Sequence, residues 1–128
     1  MGDAPETLRW HTVCQAYPRP EVSDPSAELR RRLETGGFDV PAGAGVAIAV
    51  GSRGIPGIGS LVGEVVRFLR VRGARPIVVP AMGTHGGATP PEQVRVLADL
   101  GITEAAVAAP VRWGALLQAG QTDSGLTV

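Results

Sequence analysis

Two apolar runs, each followed by a glycine-rich turn and then a helical pattern, most constrain how this 128-residue chain can fold. Val46 to Val50 leads into the turn 51–57, and Ile77 to Val79 leads into the turn 80–89. A short apolar run bounded by glycines is typical of a strand that is covered on both faces. Strands that alternate with helices build a parallel sheet through right-handed crossovers. The pattern therefore predicts an α/β domain with both glycine turns at the same edge of the sheet.

Three segments carry a helical pattern with start or stop signals: 25–35, 57–72 and 89–100. The first begins at Asp24 as N-cap, with a proline at the first helical position. The third begins at Thr89-Pro90-Pro91-Glu92, the pattern of a capping box. Weaker patterns predict short strands within 8–16, 105–111 and 115–119. The last of these enters a turn shortly before Val128, which indicates a truncated domain.

Composition excludes several classes of function. The chain is 44% hydrophobic but only 4% aromatic, so its core must be aliphatic. Twelve basic and twelve acidic residues cancel, which disfavours nucleic acid or an anionic membrane as a partner. No apolar run reaches the roughly 20 residues of a membrane span, and the N-terminus lacks a signal-peptide pattern. A single cysteine, Cys14, excludes an internal disulfide, and together these features predict a cytoplasmic protein.

The two turns carry the candidate functional residues. A glycine turn ahead of a helix binds anions through backbone N–H groups, and Arg53 could add a bidentate contact to phosphate or carboxylate. His85 could give or take a proton near neutral pH. The alternatives are that Arg53 lies on the surface and that His85 is structural. No metal site is predicted, because His11 is the only other histidine and no carboxylate lies at ligand spacing near His85.

The paired turns resemble the N-terminal domain of the nickel-dependent lactate racemase family. The likeness lies in 46–57, the helix after it and 80–89, and it continues through 100–104 and 109–111. It covers roughly residues 40–128, and Gly83-Thr84-His85 is its most specific element.

The resemblance implies a Rossmann-like, three-layer domain with a mainly parallel sheet, spanning residues 1–128 as the N-terminal part of a larger two-domain enzyme. Such an enzyme isomerises a 2-hydroxy acid by transient hydride transfer to a nickel-pincer nucleotide. By resemblance, His85 takes the proton of the substrate hydroxyl. Five residues are implied to bind the cofactor: Ser52, Arg53, Gly54, Gly83 and Thr84.

The chain also departs from the family. The racemases proper usually have a D-x-T-R-P turn where this chain has residues 51–56, and they hold the cofactor and nickel through a lysine arm and a histidine. All twelve basic residues here are arginines, so no lysine is present. We therefore expect the isolated chain to hold no nickel stably and to need a second domain, or self-association, for activity. The alternatives are a standalone module that binds a phosphorylated or carboxylated molecule, or a nucleotide, without catalysis, and a remnant without a site.

Overall fold

The computed structural model describes residues 10–18, 21–114 and 121–125. The regular elements are four α-helices, two strands and one 3-10 turn: α1 (Pro25–Thr35), β1 (Gly45–Val50), α2 (Ile58–Val71), β2 (Arg75–Pro80), the 3-10 turn Gly86–Ala88, α3 (Pro90–Asp99) and α4 (Glu104–Val107). The three predicted helices and both main strands are thus confirmed. Residues 10–18 form no strand, and the strand predicted within 115–119 lies outside the described residues. None of the described helices has the length and apolar character that a membrane crossing requires.

The two strands form a parallel pair, with Gly45 opposite Arg75 and Val50 opposite Pro80. Val111 adds an isolated parallel bridge on the other side of β2, through Val78. A small α/β fold is therefore present, and β2 lies at its centre. Both strands end at the same edge, so the prediction that the two glycine turns share one edge is confirmed.

The core lies between this sheet and the helices α2, α3 and α4. Five side chains of α2 are buried: Ile58, Val62, Val66, Phe68 and Leu69. Ile58, Val62 and Val66 pack with the centre of the sheet and with α3, where Val78 and Leu97 are completely buried. Phe68 and Leu69 form a second cluster with Ala74. Each such aliphatic side chain stabilises the fold by about 1.5–3 kcal/mol relative to an exposed one. The core is mainly aliphatic, as composition predicted, and Phe68 is the one buried aromatic side chain among the described residues.

The prediction that β1 is covered on both faces is wrong for the described residues. Val46, Ile48 and Val50 are partly or fully buried, whereas Ala47 and Ala49 between them are exposed. The cause is topological: the order from β1 through β2 to the bridge runs in one direction across the sheet. Right-handed crossovers then bring successive helices to the same face. The described residues therefore form two layers.

The first three residues of the strand predicted within 105–111 form part of the short helix α4 instead. Thr103 Oγ1 accepts a hydrogen bond of 3.2 Å from the backbone N–H of Ala106, which caps α4. Ala108 then adopts a left-handed conformation at φ 54° and ends the helix. The chain then reaches the sheet at Val111, which forms the bridge to Val78. The N–H of Val78 donates to the carbonyl oxygen of Pro110 at 2.8 Å, and the N–H of Arg112 donates to the carbonyl oxygen of Val78 at 2.8 Å.

Helix α1 is attached to α2 with little apolar burial. It contains no buried residue, and Leu33 packs only at the margin of the cluster around Phe68. Arg30 donates two hydrogen bonds to Glu64 of α2, at 3.1 Å from Nε and 2.7 Å from Nη2. This ion pair is the principal polar contact that we find between the two helices in the described structure.

Candidate functional site

The turns after β1 and β2 meet through their side chains. Ser52 Oγ lies 2.5 Å from His85 Nδ1, although 33 residues separate the two in sequence. Below them, the N–H of Ala81 donates to the carbonyl oxygen of Val50 at 2.8 Å, which extends the parallel ladder into the turns. The sheet edge thus places a hydroxyl and an imidazole in direct contact.

A pocket of about 400 Å³ surrounds this contact. It is lined by eight residues: Gly51, Ser52, Arg53, Ile55, Ile58, Ala81, Met82 and His85. No carboxylate is among these lining residues, so an anion in the pocket meets no negative charge on its described walls.

Arg53 supplies the positive charge of the pocket. It forms none of the five ion pairs found among the described residues, in which other arginines bind glutamates. At Glu64, for example, hydrogen bonds first from Arg30 and then from Arg67 lower the pKa of the carboxyl group to about 2. Because Arg53 has no such partner, its guanidinium is available for a ligand carboxylate or phosphate.

Helix α3 fixes the position of His85 because a side chain of the helix binds backbone carbonyl groups of the turn. Gln93 Nε2 donates to the carbonyl oxygens of Gly83, at 2.7 Å, and His85, at 3.3 Å. The N–H of His85 also donates to the carbonyl oxygen of Met82 at 3.2 Å. Sequence reasoning missed Gln93. The available signal was its position one helical turn before Leu97, which makes it a polar residue on the inner face of α3.

The turn approaches α3 so closely that Gly86 is needed there. Its φ is 65°, in the region that favours glycine, and an added Cβ would lie 3.2 Å from the backbone N of Gln93. The predicted capping box at the start of α3 does not form. Thr89 Oγ1 instead donates to a carboxylate oxygen of Glu92 at 2.7 Å, and no side chain caps the first N–H groups.

Two of the predicted cofactor-binding residues lie on the far side of the same turn. Gly83, Thr84 and Trp113 are among the residues that line a second pocket, of about 730 Å³. Ala81 and Met82 form the wall between this pocket and the Ser52 pocket, since they line both. Gly54 is not among the lining residues of either pocket. The structure therefore brings Ser52, Arg53 and His85 together and leaves Gly83, Thr84 and Gly54 apart from them.

The start of α2 contributes less to the Ser52 pocket than the sequence predicted. Gly57 is the N-cap, and the N–H of Ile58 already donates to the carbonyl oxygen of Ile55 at 3.1 Å. Gly59 and Ser60 line a different pocket, of about 640 Å³. Anion binding beside His85 must therefore depend mainly on the side chains of Ser52 and Arg53.

The residues described here do not fit the nickel site of the racemase family. No group of three histidine, cysteine, aspartate or glutamate side chains is close enough to hold a metal within the described ranges. The chain also contains no lysine to tether the nucleotide. No chemical step of this chain is therefore assigned to nickel.

Comparison of the chain with models of protein families, with curated proteins and with solved structures gives no match. The function is therefore argued from the geometry of the two turns.

Proposed function

We propose that the chain is the substrate-binding, proton-accepting half of an isomerase of 2-hydroxy acids that resembles the lactate racemases. The observation that carries this proposal is the 2.5 Å contact between Ser52 and His85 in a pocket that also holds Arg53. This arrangement supports a site in which a bound carboxylate lies beside a proton acceptor.

A 2-hydroxy acid presents the two groups that this pocket can bind. Its carboxylate accepts hydrogen bonds from the Arg53 guanidinium and from the Ser52 hydroxyl, and charge-assisted bonds of this kind are the stronger ones in proteins. Its hydroxyl group, on the adjacent carbon, gives a proton to the His85 imidazole. Nε2 of His85 has no hydrogen-bond partner among the described residues, which leaves that nitrogen for the substrate. General-base catalysis contributes about 10²–10⁴-fold in rate.

The open sheet face supports the proposal that the chain belongs to a larger, three-layer Rossmann-like domain. Ala47 and Ala49 are exposed and Ile77 and Val79 only half-buried on that face, whereas a third layer would cover all four. In this proposal, a second domain or polypeptide supplies the nickel-pincer nucleotide and its metal ligands. Gly83 and Thr84, in the larger pocket, are proposed to contact the nucleotide.

The test of substrate class is a titration of the isotopically labelled chain with lactate, propionate and inorganic phosphate, followed by amide chemical shifts of the two turns. Lactate should bind more tightly than propionate, which has the carboxylate but no hydroxyl. Replacement Arg53→Ala should weaken lactate binding by about 1.5–3 kcal/mol, the range for a hydrogen bond to a charged group. Arg95→Ala is the matched control, because Arg95 is exposed on α3 and does not line the pocket. Equal affinity for lactate and propionate would overturn the proposal.

The second candidate function is a binding module without catalysis. It is favoured by the unpaired Arg53 together with the lack of lysine and of a metal-ligand group in the described ranges. Phosphate binding more tightly than lactate would support this candidate. Catalysis is tested by supplying a cofactor-loaded second half of a lactate racemase and measuring isomerisation. Activity that is lost in His85→Gln, with folding unchanged, supports the enzyme, and activity within a few-fold of the parent ends the catalytic assignment.

A further inference from the structure

We infer that Ser52 couples anion binding to the protonation pattern of His85, so that a bound carboxylate creates the proton acceptor. The inference rests on the proposed function, because it requires an anion in the Ser52 pocket. It assigns Ser52 as a positioning residue that acts through His85.

The argument begins with the hydroxyl group, which has one hydrogen to donate and two lone pairs that accept. His85 Nδ1, at 2.5 Å, is the only hydrogen-bond partner of Ser52 Oγ among the described residues. The contact fits either direction, according to the tautomer of His85, and we assign the donor role to the Ser52 hydroxyl when no anion is bound. Nδ1 then carries no hydrogen, and the single proton of the neutral ring lies on Nε2. In this tautomer Nε2 is a donor and cannot take a proton from a substrate.

An anion beside Arg53 changes the direction of that hydrogen bond. A hydrogen bond to a charged acceptor is roughly twice as strong as a neutral one, so the Ser52 hydroxyl hydrogen turns to the carboxylate. Ser52 Oγ then offers only lone pairs to His85, and Nδ1 must carry a hydrogen to keep the contact. The ring releases its Nε2 proton to water and takes one from water at Nδ1. The imidazole stays neutral, and Nε2 now has a free lone pair.

The consequence is that a bound carboxylate shifts His85 toward the tautomer that can act as the base. The same contact explains why a hydroxyl suits position 52: it can reverse its role, whereas a carboxylate could only accept and an amide N–H could only donate. The identity of the nitrogen that carries the proton is set by the hydrogen bond of the other one, which is the general rule for histidine.

The test is ¹⁵N NMR of the full chain with labelled histidine at about pH 8, where a histidine of ordinary acidity is neutral. The ring nitrogens distinguish the Nε2–H tautomer, the Nδ1–H tautomer and the imidazolium. Lactate should shift the tautomer ratio of His85 toward Nδ1–H by about tenfold or more, given the strength of hydrogen bonds to charged groups. The lactate concentration at which the change of tautomer is half complete should equal the concentration at which the amide shift of Arg53 is half complete. His11, which is exposed and lies outside the pocket, is the internal reference in the same spectrum.

Three variants separate the coupling from binding. Ser52→Ala should bind lactate more weakly, and at saturation its tautomer ratio should change by less than about twofold. Ser52→Thr, which retains the hydroxyl, should restore the change. Arg53→Gln should raise the half-saturating concentration but reach the parent's tautomer ratio at saturation.

Lactate binding without a change of tautomer overturns this inference alone, as does formation of the imidazolium or a full change of tautomer in Ser52→Ala. The absence of saturable lactate binding overturns both this inference and the proposed function.

Discussion

Replacement of Glu64 by glutamine is expected to loosen the attachment of helix α1 to the domain without unfolding the core. Arg30 of α1 contacts both carboxylate oxygens of Glu64 on α2, and α1 has no buried side chain to hold it otherwise. The Glu64 side chain is 15% exposed and that of Arg30 is 46% exposed. Solvent therefore screens the pair in part, and its contribution is small compared with the aliphatic core.

The magnitude follows from the geometry of the pair. A partly exposed ion pair contributes about 0.2–1 kcal/mol, and the two-point contact between guanidinium and carboxylate places this one at the upper end. A free energy of about 1 kcal/mol corresponds to roughly a fivefold change in an equilibrium constant. Amide hydrogens of α1 should thus exchange about fivefold faster in Glu64→Gln, while amides near the buried Val66 and Val78 keep their rates.

The assay is hydrogen–deuterium exchange resolved along the chain near pH 6, with two further variants. Arg30→Gln should reproduce the effect of Glu64→Gln. Arg67→Gln is the matched control, because Arg67 binds the same carboxylate but lies on α2 itself, so its loss leaves the link to α1 in place. Unchanged exchange of α1 in Glu64→Gln would refute the reasoning, and so would an equal effect of the two arginine variants.

The same link should weaken in acid. Hydrogen bonds from Arg30, and then from Arg67, lower the pKa of Glu64 in the folded protein from 4.5 to about 2. A carboxyl group with a lowered folded pKa stabilises the fold above its unfolded value, and this stabilisation is lost as the pH falls through the folded value. Protection of α1, corrected for intrinsic exchange rates, should therefore decline between pH 4.5 and about 2 in the parent. Glu64→Gln should show a smaller decline that comes from Glu28 within α1, because hydrogen bonds from Arg31 and Arg32 lower the pKa of Glu28 to about 2 as well.

Two further predictions concern the core and the His85 turn. Leu97→Ala should lower the free energy of unfolding by about 2–5 kcal/mol in chemical denaturation, because Leu97 is fully buried. A loss below about 1 kcal/mol would show that the core is not packed as described. Gly83→Ala should cost about 1–2 kcal/mol for its left-handed backbone alone, since an added Cβ there meets open space. Gly86→Ala should cost more and weaken lactate binding, because its Cβ would press on Gln93; equal losses in the two glycine variants would contradict this.

Most of the secondary structure could be predicted because its signals are local. The bounds of α1 follow from Asp24, which accepts a 2.9 Å hydrogen bond from the N–H of Ala27, and from the proline at position 25. The two failures have different causes. Residues 105–107 are apolar enough for a strand, but Thr103 just before them caps a helix, which is a local signal that the prediction did not use. The face of β1 that stays exposed depends on the order of the strands in the sheet, and the sequence of β1 alone does not determine that order.

The candidate site shows the same division. That the two turns would converge follows from two parallel strands ending at one edge, and the structure adds that Ser52 and His85 are in contact there. The strand topology does not predict that Gly83 and Thr84 lie on the other side of the turn. Their position depends on the left-handed backbone of Gly83, with φ 60°, and on the hydrogen bond that Gln93 donates to the turn. Sequence spacing identifies which turns converge. The side of each turn that faces a ligand is decided by a helix that packs behind it, and for His85 that helix is α3.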